Sequence, residues 1–276
     1  MSATELVRTA RMKRDSGIGK QVRKVLAVVA LPIVLIVTWW FSSAGSQNFF
    51  FPPLEQIVTA FQPTWFTGAI ETEVLPSVWR LLGGYLVAGV IGIGLGALLG
   101  SSPVLRAFTE PALEFLRAIP PTVMIPILIL FLGIGAEMRV VVIAIGALWP
   151  ILLNTIEGVR AIDEVLRDTA RVYRLTPMMR FSTLILRGAS PQIVTGARQG
   201  LSVAIILMVI SEMFAAQDGI GFTIIRFQKS YAMPEMWSGI LLLGVLGIVL
   251  SLIFKLFESI SLKWYFGLRQ SQRGGN

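Results

Sequence analysis

Long apolar runs alternate along this chain with short polar stretches, and that contrast lays out its elements. Apolar runs cover about Val25 to Phe41, Val78 to Gly100 and Ala118 to Gly135. Another comes after a tight turn at Glu137-Met138-Arg139 and extends to about Leu153, and two more cover Ile193 to Phe214 and Trp237 to Phe257. An apolar helix of roughly 20 residues crosses the hydrocarbon of a bilayer, so the pattern predicts an all-α, polytopic membrane protein with about six transmembrane helices. No second domain is visible. The expected organisation is a basic tail over 1–24, one membrane domain over 25–260 carrying a polar segment at 157–192, and a short tail over 261–276.

The polar segment is the exception to the pattern. It holds Arg160, Arg167, Arg171, Arg174, Arg180 and Arg187, yet keeps a helical period. Asp163 reads as an N-cap, and Leu166, Ala170 and Tyr173 come next at positions that share one helix face. Thr176-Pro177 reads as a second N-cap with proline at N1, opening a helix through Met178, Phe181, Leu184 and Ile185. The expectation is a short amphipathic helix–turn–helix outside the bilayer, with an apolar face that asks for a partner. The alternative is that the pair only caps the membrane domain's own inner face, and periodicity does not separate the two.

Composition narrows the function classes. The chain has 276 residues, 54% hydrophobic and 14% charged, with a mean hydropathy of +0.73. The net charge of +8 sits in loops flanking the apolar runs, which marks their cytoplasmic side rather than a nucleic-acid surface. Residues 44 to 78 contain no Lys or Arg, so that loop is placed outside, and both termini fall inside. A signal peptide cleaved near Ser43-Ala44 is the alternative for the first run, but the basic region before it is long and the run outlasts a typical signal core. Cysteine and histidine are absent. That removes disulfides, Cys/His metal sites and Ser-His or Cys-His catalysis. No G-x-x-x-x-G-K-[ST] occurs, so ATP is not bound here through a P-loop.

Four features carry candidate roles. Gly84, Ala88, Gly92, Gly96 and Gly100 recur every four residues, a small-residue stripe that lets a second helix approach closely. Pro120, Pro121 and Pro126 break the third run, which suits a bent helix beside a solute path or a plain packing kink. Glu212 is ionisable near the end of a span, so it faces either a path or the interface. Arg80, Arg226 and Lys229 suit an anionic solute, although interface anchoring would use the same residues.

The polar segment resembles the "EAA" loop of ABC importer permeases, a Glu-Ala-Ala triplet with a downstream glycine and an Ile-x-Leu-Pro close. Here the frame is Asp168-Thr169-Ala170, then Arg174, then Leu184-Ile185-Leu186-Arg187, with Arg174 in the glycine's place and Arg187 in the proline's. Around it the chain is similar to nitrate/sulfonate/taurine-type permeases. The matching stretches are Ser77-Val78-x-Arg80, Arg117-Ala118-Ile119-Pro120 with Pro126, Phe131 to Gly135, Asn154-Thr155 with Gly158, Pro191 with Thr195-Gly196, Ser211-Glu212-Met213 and Gly219-Ile220-Gly221. The resemblance implies a type I ABC importer permease fold in the bacterial inner membrane. It also implies a non-catalytic subunit importing a small, anionic solute with the help of a binding protein. It assigns ATPase coupling to Asp163, Leu166, Arg167, Asp168, Thr169, Ala170, Tyr173 and Arg174, and the solute path to Arg80, Pro120, Pro126 and Glu212.

The implied partners are a pair of cytoplasmic P-loop ATPases, a second permease copy or paralogue, an extracytoplasmic solute-binding protein and the lipid bilayer. No cofactor is expected in this chain, with ATP and magnesium handled by the ATPase. Because Arg174 would tolerate a positive φ poorly, the turn is expected at Leu175-Thr176-Pro177 instead. An ATP-independent secondary transporter or channel is the alternative, though no internal repeat of the kind such folds show is present.

Overall fold

The computed structural model describes residues 30–214, 216–265 and 267, so the basic tail over 1–24, the start of the first apolar run and most of the tail after 261 lie outside the described residues. Every regular element among the described residues is helical, as the apolar periodicity predicts. The chain divides into two compact units, Met1–Phe61 and Gln62–Asn276.

In the first unit, α1 (Ala30–Ser43) is the described part of the first apolar run. Its last residue ties it to the start of the next helix, because Ser43 Oγ accepts from the Leu54 N–H at 3.1 Å. Between them Asn48 Oδ1 accepts from the Phe50 N–H at 2.9 Å, an Asx turn that reverses the chain. Helix α2 (Leu54–Trp65) begins here, after Pro52-Pro53.

The second unit is built on three long helices. A π-helical turn over Ile70–Val74 leads into α3 (Leu75–Ser101). Helix α6 spans Ala136–Arg160 and α9 spans Leu186–Phe214. The contacts of the small-residue stripe fix how they pack. A Cβ at Gly84 would lie 2.8 Å from Ile143 Cβ, one at Gly92 2.9 Å from Ile151 Cγ2, one at Gly96 2.6 Å from Thr155 Cβ, and one at Gly100 2.8 Å from Val159 Cβ. The stripe therefore seats α3 on α6 within this chain. Its partners advance in step, so the two helices run parallel. Gly196 and Gly200 of α9 meet Pro150 and Ala147 of α6 in reverse order, so α9 is antiparallel to both. Leu81, Ala88, Met138, Val142, Ile143, Ala147, Leu201, Ala204 and Met208 fill the space between them.

Parallel packing of α3 and α6 requires the chain to return between them. That return is α4 (Pro103–Ala118), a 3-10 turn over Pro121–Met124, and α5 (Ile125–Leu132). The return stretch bends by 78° where Pro120 and Pro121 interrupt it. The short polar stretch between the second and third apolar runs is therefore a helix rather than a loop. Ser102 caps it by accepting from the Leu105 N–H at 3.3 Å, and Pro103 supplies the preset first turn. The expected tight turn also shifts: Glu137-Met138-Arg139 is the first turn of α6, and the reversal falls at Gly133, with φ of 73°, to Gly135.

Among the described residues, four helical stretches are long and apolar enough to cross a membrane: Ile70–Ser101, Ala136–Arg160, Pro177–Phe214 and Met233–Ser261. The bent pair makes a fifth, and α1 is a shorter apolar helix. The stretch Pro177–Phe214 is continuous, joining α8 (Pro177–Met179), a π-helical turn over Arg180–Ile185, and α9. The second half of the expected helix–turn–helix is thus the beginning of a spanning helix rather than a separate element. Beyond α9 lie the short α10 (Ile220–Lys229) and the long α11 (Met233–Ser261). Trp65 is fully buried and its Nε1–H donates to Ser238 Oγ of α11 at 2.9 Å.

Candidate functional site

Two constellations stand at opposite ends of the three-helix core. The first is the expected coupling segment, where α6 ends and α7 (Glu164–Val172) begins. Asp163 caps α7, its Oδ1 accepting from the Val165 N–H at 2.8 Å. Arg167 reaches back from α7 to the Val159 carbonyl, and to that of Arg160 at 3.3 Å. It thereby satisfies carbonyls that the end of α6 would leave without partners. Asp168 pairs with Arg171 on the exposed side at 2.8 Å, and Thr169 Oγ1 donates to the Val165 carbonyl at 2.7 Å.

Leu166, Ala170 and Tyr173 share one side of α7 and line a cleft of about 200 Å³ with Leu175, Thr183 and Leu184. Ala170 is buried, whereas Leu166, Tyr173, Val165 and Val172 are at least half exposed. An apolar surface of this kind on a polar segment is unusual for a chain with nothing against it.

The turn after α7 corrects the expectation. Arg174 itself takes the left-handed conformation, with φ of 50°. The Leu175 N–H then donates to the Ala170 carbonyl at 3.0 Å, and Thr176 caps the next helix by accepting from the Met179 N–H at 3.3 Å. Caps on both sides fix the path of the chain, so the arginine bears a strain of about 1 kcal/mol that glycine would avoid.

The second constellation is a clamp at the distal end of the core. Glu212, near the end of α9, is 1% exposed. Its Oε1 accepts from the Ser77 hydroxyl at 2.6 Å, and its Oε2 accepts from the Gly221 N–H at 3.0 Å. Ser77 Oγ also accepts from the Ile220 N–H at 3.1 Å, and Glu73 Oε2 accepts from the Gly219 N–H at 2.7 Å. The turn before α10 is thus held by oxygens from α3, its leading π-turn and α9.

Gly219 has φ of 114°, and a Cβ there would lie 2.4 Å from Glu212 Cδ. At Gly221 a Cβ would lie 2.6 Å from the Val209 carbonyl oxygen. Only glycine allows the turn to close over the carboxylate at these two places.

Two arginines complete the clamp. Arg80 of α3 hydrogen-bonds Asp218 through Nη2, and its Nη1 lies 3.6 Å from Glu212 Oε1. Arg139 of α6 donates to Asp218 Oδ1 at 2.9 Å, to the Asp218 carbonyl at 3.0 Å and to the Gly135 carbonyl at 3.1 Å. Two cations thus face the Glu212 and Asp218 carboxylates, with Glu73 a third carboxylate beside the turn. Burial alone would raise the Asp218 carboxyl, but hydrogen bonds and charge from Arg80 and Arg139 hold it below its ordinary value.

Arg80 and Glu212, candidates for the solute path, are therefore engaged with each other and with the turn. Pro120 and Pro126 lie elsewhere, exposed at the bend of the return stretch. Sequence reasoning did not single out Arg139, Asp218 and Glu73 as members of this set. Their separation along the chain hid the pairing, although an arginine in the first turn of an apolar helix was a visible signal.

Comparison with known proteins gives the same outline. Residues 89–263 match the family described as "Binding-protein-dependent transport system inner membrane component". The chain is 27% identical over 267 residues to the nitrate import permease protein NrtB of Synechocystis, covering 94% of this chain and 97% of that one. It is 26% identical over 268 residues to the taurine transport system permease protein TauC of Escherichia coli, covering 95% and 96%. A solved structure of the MetNI methionine ABC transporter in an inward-facing conformation shares the fold. Its TM-score is 0.57 at 22% identity, covering 68% of this chain and 94% of that one. Permeases of this family are non-catalytic, multi-pass components of the inner membrane without cofactors of their own. They serve importers that depend on an ATPase and a solute-binding protein, which sets aside the ATP-independent alternative. With more than half of its residues inside the match, this chain belongs to the family of binding-protein-dependent transport system inner membrane components.

Proposed function

We propose that this permease passes a small anionic solute inward, driven by a pair of cytoplasmic ATPases that dock on α7 and on the start of the α8–α9 helix. The observation that carries this reading is the exposed apolar side of α7, with Val165, Leu166, Val172 and Tyr173 presented on a helix that Arg167 fastens to the end of α6. An apolar helix side rimmed by Asp168 and Arg171 suits insertion into a groove, with charge pairs setting register. Arg174 keeps the turn that orients α7. In this reading the arginine-rich coupling end faces the cytoplasm, the clamp faces outward and both termini are cytoplasmic.

A second permease, identical or paralogous, completes the path. The solute class is drawn from relatives named for nitrate, an anion, and taurine, a zwitterion that carries an anionic sulfonate. Closure of the ATPases shifts the pair towards its outward-facing state, and hydrolysis lets it return.

Replacing Tyr173 with Asp places a charge on the docking side while leaving the membrane core untouched. In Tyr173→Asp membranes the protein should reach normal levels, fail to co-purify with its ATPase and lose uptake. Normal ATPase recovery with normal uptake would remove α7 as the coupling element.

A further inference from the structure

Four cations belong to the distal end of the core and its α10: Arg80, Arg139, Arg226 and Lys229. The clamp consumes Arg80 and Arg139. Arg226 has only a loose partner, Glu73 Oε1 at 4.0 Å, and Lys229 enters none of the ion pairs among the described residues. These two lie three residues apart on α10 and therefore share a side of it. Both line a recess of about 420 Å³, together with Phe214, Phe222, Ile225 and Ser230. That volume is within the range of small-molecule sites.

We infer that this recess is an anion-reading site for a short organic anion with an apolar tail, of the alkanesulfonate type. This rests on the proposed import of an anion and deepens it by giving the solute a place. The recess holds what such a ligand needs. The Arg226 guanidinium lies over the Phe222 ring, 5.7 Å from its centroid, and 5.6 Å from that of Phe227. The rings restrain the guanidinium while leaving its N–H fork available to a planar or tetrahedral oxyanion. Lys229 adds a second, flexible charge. Phe214, Phe222 and Ile225 offer apolar wall to a short tail. Serving as simple charge at the end of α10 would call for neither the rings nor the recess.

The natural chain has no cysteine, so one introduced thiol reports a single place. Ser230→Cys puts it in the recess, and Thr67→Cys supplies an exposed control elsewhere. In native membranes holding the assembled transporter, both are labelled with 2-sulfonatoethyl methanethiosulfonate and with its trimethylammonioethyl analogue. The anionic-to-cationic rate ratio at Ser230→Cys should exceed that at Thr67→Cys by about tenfold, the scale of two nearby charges under salt screening. Lys229→Gln, which breaks no ion pair, should lower the ratio partway, and adding Arg226→Gln should abolish the excess. Ethanesulfonate in the bath should slow labelling at Ser230→Cys and leave Thr67→Cys unchanged.

A ratio equal to the control, or one that survives both neutralisations, overturns the inference. A raised ratio without ethanesulfonate protection also overturns it, because it would report a surface field and no site. None of these readouts uses ATP or transport, so they stand apart from the Tyr173→Asp test of the coupling reading.

Discussion

At Glu212 a single buried carboxylate decides the local structure. It accepts from a side chain on one helix and from the backbone of a turn, and it faces a guanidinium that also binds Asp218. Glu212→Gln keeps the shape but removes the buried carboxylate charge that faces Arg80 and accepts from Ser77 and Gly221. Breaking one side of such a set costs roughly 3–5 kcal/mol, so thermal unfolding of the solubilised variant should show a clear loss. Wild-type stability would mean that Arg80 finds another anion. Asp218 sets the acid limit of the same clamp. Its carboxyl sits below the ordinary value of 3.8, so its contribution is complete above that pH and fades as the pH falls through the lowered native value. Unfolding monitored from pH 7 downwards should therefore show the Asp218→Asn difference only above that acid range, and a difference persisting in strong acid would contradict the assignment. From sequence, Ser77, Glu212 and the Gly219-Ile220-Gly221 stretch were visible as separate fragments. Their shared purpose was not, because partners lie as far apart as Ser77 and Glu212. At Arg174 the residue type pointed away from a left-handed turn, and the caps on either side overruled it.

Among the elements, the glycines of α3 were legible as a packing stripe, but not which helix they meet. The structure gives them α6 of the same chain. A side chain at Gly96 would push against Thr155 Cβ at 2.6 Å and the Leu152 carbonyl at 2.9 Å, whereas nothing lies within 4 Å of a Cβ at Gly94. Overpacking of this kind costs about 1–3 kcal/mol or more. Gly96→Leu should lower the unfolding temperature while Gly94→Leu leaves it nearly unchanged, and equal effects would argue that α3 and α6 are not in contact. Helix α4 escaped the sequence reading because Pro103, Pro111 and mixed charges look like a loop. Pro103 is in fact a first-turn residue, and Val104, Phe108 and Phe115 keep a helical spacing. The start of the fifth span was misplaced for a related reason. Arg180 and Arg187 end the apolar run but do not end the helix, since helical hydrogen bonding continues past the point where burial stops.

For the molecule as a whole, five of the six expected crossings have a long helix or bent pair among the described residues, and the first shows only the shorter α1, while the order of packing was not legible in the sequence. Alternating spans already make α3 and α6 parallel, but hydropathy does not record that they pack on each other or that the return stretch between them is bent at Pro120 and Pro121. The same long-range view changes the meaning of the stretch Pro177–Phe214. With 38 residues in one helix, it is about 57 Å long at 1.5 Å per residue. One end begins in the segment assigned to the ATPase, and Glu212 near the other end grips the turn beneath the recess. A rod of this kind conveys a push without needing a relay of small side-chain shifts. Its regular α-helical hydrogen bonding is interrupted at the π-helical turn over Arg180–Ile185 and at Pro191. In the proposed coupling the permease resembles a lever with a spring set close to the hand, and the stiffness of that turn would govern how much of each ATPase stroke arrives at the far side of the membrane.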